Sequence, residues 1–87
     1  FKEFNKLFSD SSPIAPKEAR LVAIGVSAAV KCEYCIAANV HLARELGATE
    51  DEIKAAVQIA AEIQRFSTLL YGNDFGMEKL NKAIGKE

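Results

Sequence analysis

The stretch Leu21–Val30, LVAIGVSAAV, carries no charge, and only Gly25 and Ser27 interrupt its apolar side chains. Pro16 fits the first turn of a helix leading into it, followed by Lys17, Glu18 and Arg20. A helix apolar on all sides must be covered on all sides. The stretch from Glu50 to about Tyr71 makes the same demand. Its polar residues Asp51, Lys54, Gln58, Glu62 and Arg65 fall on one narrow stripe, and nearly everything else is Ala, Ile, Val, Leu or Phe. A chain of 87 residues makes one domain. Domains of this size bury only roughly 60–65% of the surface that their unfolded chain exposes. The surplus of apolar face therefore predicts an oligomer.

The remaining segments are also helical. Phe1, Phe4, Leu7 and Phe8 form a short helical stripe, and Ser9–Ser12 with Pro13 reads as a loop. Cys32–Leu46 is a helix with Ile36, Ala37, Val40, Ala43 and Leu46 at helical spacing. Gly47 stops it where a left-handed residue is wanted. Thr49 and Glu52 make a capping box for the next helix, which Gly72 and Asn73 break. A last helix is expected over Phe75–Ile84, with Gly85 as its stop. No alternating strand pattern or internal repeat occurs. The expected fold is a single all-α domain over residues 1–87, a bundle of four to five helices.

Composition excludes several classes. Hydrophobic residues make up 49% of the chain, and 12 acidic against 11 basic residues give a net charge of −1 without a basic block. Electrostatic binding of nucleic acid is not expected. Phe1–Phe8 is charged and amphipathic rather than continuously apolar, so no signal peptide is read there. Leu21–Val30 is about half of what a bilayer needs. The expectation is a cytoplasmic protein without a membrane partner. Because the chain starts at Phe1 without a methionine, an N-terminal piece is expected to be missing.

Both cysteines and the single histidine fall in Lys31–Gly47, KCEYCIAANVHLARELG. Small secreted domains carry four or more cysteines as separate staples. Here a bridge between Cys32 and Cys35 would close a tiny loop and contribute little to stability. That spacing puts two sulfurs about one turn apart at the start of a helix. A thiolate is the reactive form. The helix N-terminus and the preceding Lys31 both favour the charged sulfur, which points to Cys32 as the more acidic thiol. The second sulfur can then resolve a sulfenic acid or mixed disulfide formed on the first. The bland reading keeps both cysteines as small buried hydrophobes. Zinc wants four protein ligands, or three plus water, and only Cys32, Cys35 and His41 are candidates. His41 lies six residues past Cys35, a rotation of about 240°, and points away. Asn39, four residues past Cys35, shares its face and can hydrogen-bond near the sulfurs without acting as a base. A thioredoxin-type site needs a preceding strand and a sheet, which this sequence does not offer.

The run CEYCIAANVHLARELGATEDEI resembles the core of the carboxymuconolactone decarboxylase superfamily, in particular its alkylhydroperoxidase (AhpD-like) branch. The resemblance covers about Pro13 to Tyr71, on the combination of C-x-x-C, a short helix, G-A-T-x-x-E-I and an Ala-rich helix. It implies an all-helical fold assembled as a homo-oligomer, a trimer, hexamer or similar ring. It also implies peroxide reduction through Cys32 and Cys35, with re-reduction by a dithiol partner, in some cases a lipoyl group, and no cofactor or metal. Cys35 is then the attacking sulfur and Cys32 the resolving one, against the electrostatic ranking. Two positions depart from the family motif. Asn39 stands where the motif has a histidine, and Arg20 stands where it has a glutamate twelve residues before the first cysteine. The family's proton relay therefore cannot be carried over. Arg20 could stabilise a thiolate by charge; Glu18 and His41 are substitute bases to be weighed. Dithiol–disulfide exchange survives these departures better than peroxidase activity. The rival is a non-catalytic oligomeric module that kept the fold and lost the relay. A decarboxylase-like enzyme is disfavoured by the C-x-x-C itself.

Overall fold

The computed structural model describes residues 1–86. Five α-helices follow in order: α1 (Lys2–Leu7), α2 (Pro16–Ala29), α3 (Glu33–Glu45), α4 (Glu50–Gly72) and α5 (Met77–Ala83). Among the described residues there is no strand, so the all-α expectation holds. Helix α2 is central and packs against both α3 and α4. Neither α1 nor α5 contains a buried residue. No described helix is long and apolar enough to cross a membrane.

Local chemistry sets the helix ends. Pro16 is the first residue of α2, where its missing N–H costs nothing. The predicted capping box starts α4: Thr49 Oγ1 accepts from Glu52 N–H at 3.0 Å, and Thr49 N–H donates to the Glu52 carboxylate at 2.8 Å. Four helices, α2 to α5, end alike. After α3, Gly47 is left-handed (φ 89°), Gly47 N–H donates to Arg44 C=O, and Ala48 N–H donates to Ala43 C=O. That is the Schellman arrangement, and buried Ala48 and Ala43 supply its apolar contact. Helix α4 repeats it with Asp74 (φ 51°) and a Phe75 N–H to Leu70 C=O bond. Phe75 is thereby committed to closing α4. Gly76 (φ 84°) is the N-cap of α5, so that helix is Met77–Ala83 and not the expected Phe75–Ile84.

The interior is small. Ile24 and Ala43 are sealed, with Ala48 and Ile53 beside them and Leu21, Val40 and Ala56 packed against the cluster. Helix α2 approaches α4 closely at Gly25, where a Cβ would lie 3.3 Å from the Ala56 carbonyl oxygen. Glycine there permits a close backbone approach, and a Cβ would require the Ala56 carbonyl to give by a few tenths of an ångström. Helix α4, at 23 residues, spans about 34 Å. Along its second half, Ile59, Ile63 and Phe66 stay at 64%, 66% and 50% exposure. The radius of gyration is 15.9 Å, against about 12 Å for a compact chain of this length. The single chain is an open, elongated shape with its apolar stripes uncovered.

Lys17 Nζ reaches Glu52 across the α2–α4 seam at 3.1 Å, joining the capping box to the neighbouring helix. The Thr49 backbone N–H, then Lys17, hold the Glu52 carboxyl below its ordinary value of 4.5. A depressed folded value means that this stabilisation is complete above the unfolded value and is lost as pH falls through the folded one. The melting-temperature gap between the native chain and Glu52→Gln should be widest near neutrality and should close as pH falls below 4.5. A gap that widens in acid would contradict the assignment.

Candidate redox site

A single left-handed residue joins α2 to α3. Lys31 has φ 58°; its N–H donates to Ala28 C=O, and Cys32 N–H donates to Ser27 C=O at 3.0 Å. This is again a Schellman closure, but with a lysine where glycine is the unstrained choice. Cys32 therefore closes α2 and at the same time is the N-cap of α3. Its Sγ accepts the Cys35 N–H at 3.2 Å. Cys32 and Cys35 are disulfide-bonded, with Cα atoms 5.2 Å apart.

The two sulfurs have different surroundings. Cys35 lines a cleft of about 790 Å³ bounded by α1, α2 and α3, and Cys32 lies outside that lining. The walls are largely apolar, including Leu7, Ile14, Val22, Val26 and Leu42, and Tyr34 also borders the opening. Behind Cys35 runs one hydrogen-bonded chain. Asn39 Nδ2 donates to Cys35 C=O at 2.9 Å and to Ser27 Oγ at 3.4 Å. Asn39 Oδ1 accepts from Arg20 Nη1 at 2.8 Å. Buried Ser27 donates in turn to Ala23 C=O at 2.6 Å. The Arg20 guanidinium lies over the Phe8 ring, 3.8 Å from its centroid. Burial shifts this guanidinium's pKa down from its ordinary value.

The structure thus brings Cys32, Cys35, Asn39 and Arg20 together. Glu18 is exposed and borders no part of the cleft. His41 is also exposed; its Nε2 lies 3.5 Å from Glu45 one turn along α3, outside the cleft. Neither is placed to move a proton at Cys35. Among the described residues no three His, Cys, Asp or Glu side chains converge on a metal-sized site. Sequence reasoning passed over Ser27 and Phe8. Ser27 was visible as the lone hydroxyl in an apolar run, whereas nothing in the sequence couples Phe8 to Arg20 on another helix.

The family description "Carboxymuconolactone decarboxylase family" matches residues 3–73. The chain belongs to this family. A relative from Paracoccus denitrificans, named "Uncharacterized protein 4 in cox locus", is 27% identical over 73 residues. That alignment covers 84% of this chain and 66% of the relative, so the chain spans just under two thirds of that protein. No solved structure matches.

Relieving the left-handed strain at Lys31 gives a local test. Lys31→Gly should stabilise the fold by about 1 kcal/mol, read as a rise of several degrees in melting temperature. Lys31→Val, β-branched and worse at positive φ, should lower it. Equal melting temperatures for both variants would rule out the strained corner.

Proposed function

We propose that this member of the carboxymuconolactone decarboxylase family is an AhpD-like thiol–disulfide oxidoreductase that works as a homo-oligomer. The observation carrying this reading is the division of labour in the C-x-x-C pair. One sulfur borders an open apolar cleft, and the other sits at a helix start accepting a backbone N–H.

In the reductive half, a thiolate of an external dithiol attacks Cys35 Sγ. The Cys32–Cys35 bond breaks, and Cys32 leaves as a thiolate stabilised by the Cys35 N–H and the α3 N-terminus. The second thiol of the reductant then attacks the mixed disulfide and releases Cys35. The dithiol becomes a disulfide, and two electrons and two protons have passed to the cysteines. In the oxidative half, the Cys35 thiolate attacks a hydroperoxide and the O–O bond breaks. An alcohol departs with a proton and Cys35 becomes a sulfenic acid. Cys32 thiolate displaces its oxygen as water and the disulfide re-forms. A disulfide substrate can replace the hydroperoxide by simple exchange.

This scheme reconciles the two rankings of the cysteines. The family resemblance makes Cys35 the attacking sulfur, and electrostatics make Cys32 the more stable thiolate. A good leaving group and a reachable target are different requirements, and the two positions meet one each. The guanidinium of Arg20 and the amide of Asn39 cannot accept a proton at working pH. Exchange with a dithiol needs no relay and is therefore the better-supported half. The absent base favours the rival reading, a non-catalytic module, but an open cleft at an intact cysteine pair counts against it.

Self-association is part of the proposal. An apolar groove of about 430 Å³ runs between α2 and α4, with Val22, Val26, Ile59 and Ile63 on its walls. Val22 and Val26 also line the Cys35 cleft, so whatever covers the groove borders the redox site.

Two measurements follow. Cys35→Ser should reduce dithiol-dependent turnover by more than about 100-fold. Cys32→Ser should instead accumulate a mixed disulfide on Cys35, visible by mass spectrometry after mixing with an activated disulfide. Adducts on Cys32 in the reciprocal variant, with none on Cys35, would reverse the roles; unchanged turnover in both would end the enzyme reading. For assembly, Ile63→Glu should convert a multimer into a single chain in light scattering. A native chain that is already monomeric would remove the oligomer.

A further inference from the structure

Arg20 is the only charged side chain lining the cleft among the described residues. The chain has three arginines. Arg44 pairs with Glu50, and Arg65 pairs with Glu62. Arg20 pairs with no carboxylate among the described residues: Nη1 donates to the neutral Asn39 amide, and one guanidinium face lies over the Phe8 ring. A guanidinium offers five N–H donors in a fixed fork that fits a carboxylate with two parallel bonds. Here Asn39 and Phe8 hold that fork still, so little side-chain freedom is lost when an anion arrives. The surrounding walls are Leu7, Ile14, Val22, Val26 and Leu42, which suit a hydrocarbon chain. Asn39 alone separates the cation from the Cys35 backbone, through bonds of 2.8 and 2.9 Å.

We propose that the small molecule exchanging with the Cys32–Cys35 pair is an amphipathic carboxylate. Arg20 takes the carboxylate, the apolar cleft takes a body of several carbons, and the reactive sulfur or peroxide reaches Cys35. The proposal rests on the redox reading for its chemistry and on the unneutralised cation for its specificity. It assigns to the position that departs from the family motif a binding role in place of a proton-relay role. The reaction is the dithiol exchange described above: the carboxylate-bearing dithiol is oxidised to its disulfide, and the protein disulfide is reduced to two thiols.

Dihydrolipoate and dihydrolipoamide share one dithiol and one carbon chain and differ in whether that chain ends in a charge. The native oligomer should be reduced by the acid with a kcat/KM about tenfold or more above the amide, as expected for one charge-assisted pair. Arg20→Gln should erase that preference and Arg20→Lys should keep part of it. Octanoate, which has no sulfur, should shift the NMR signals of Ala38 and Leu42 in the native chain, whereas octanamide and the Arg20→Gln protein should not show this response. Equal rates with acid and amide, together with no octanoate response, would overturn the carboxylate site and leave the redox reading standing. Octanoate binding that depends on Arg20, with neither dithiol reducing the protein, would uphold the anion site and remove the redox reading instead.

Discussion

The corner at Val30–Lys31–Cys32 decides what the rest of the site can be. A single left-handed residue turns the chain from α2 into α3, and the closing bond from Cys32 N–H to Ser27 C=O fixes where α3 begins. Because the turn is so short, α3 folds back against α2. Asn39 can then reach Ser27 and Arg20 on the facing helix. The same corner makes Cys32 a helix N-cap, the position at which backbone donors are unpaired and a negative sulfur is best tolerated. Strain at a lysine in this conformation costs about 1–2 kcal/mol. The hydrogen bonds on either side of it hold the conformation in place.

The departures at Arg20 and Asn39 are physically one departure. Two positions where the resembled motif has an acid and a base here carry a cation and an amide, and these two side chains bond directly to each other. The two positions touch here, and neither side chain can accept a proton across the contact. A permanent positive charge in an apolar cleft changes the question asked of a substrate. Under the proposed anion role, Arg20 would select for negative charge where a relay would select for proton demand. The stack on Phe8 ties this cation to the C-cap of α1, a helix without a buried residue of its own.

The apolar stripes of α2 and α4 set a second constraint. Four small or branched residues make most of the sealed interior, which is little for a chain with this hydrophobic content. Gly25 lets α2 lie directly against α4, yet Val22, Val26, Ile59 and Ile63 still face outward beside the contact. Val22 and Val26 line both the groove and the Cys35 cleft. Covering one face therefore shapes the entrance to the other, and the proposed assembly and the proposed chemistry are joined through those valines.

Much of this was legible in the residues themselves. Helical periodicity, Pro16, the Thr49–Glu52 box and Gly47 are local signals, each acting within one turn, and they located α2, α3 and the start of α4. The C-x-x-C spacing likewise sets the sulfurs within bonding distance before any tertiary contact forms. Other features were not local. Gly76 displaced the start of α5 because α4 needed Phe75 for its closing bond. Lys31 gave no sign of its left-handed backbone, since that conformation is imposed by the two helices it joins. Which cysteine faces a cleft, that Arg20 meets Asn39 and Phe8 while His41 and Glu18 do not, and where Ser27 anchors the network all depend on how α1 and α3 lie against α2. The helices and the sulfur pair follow from contacts between near neighbours in the chain, and so could be read from residue order alone. Which side chains surround the sulfurs was set by helix packing, because it depends on distances between residues far apart in sequence, and no local preference encodes them.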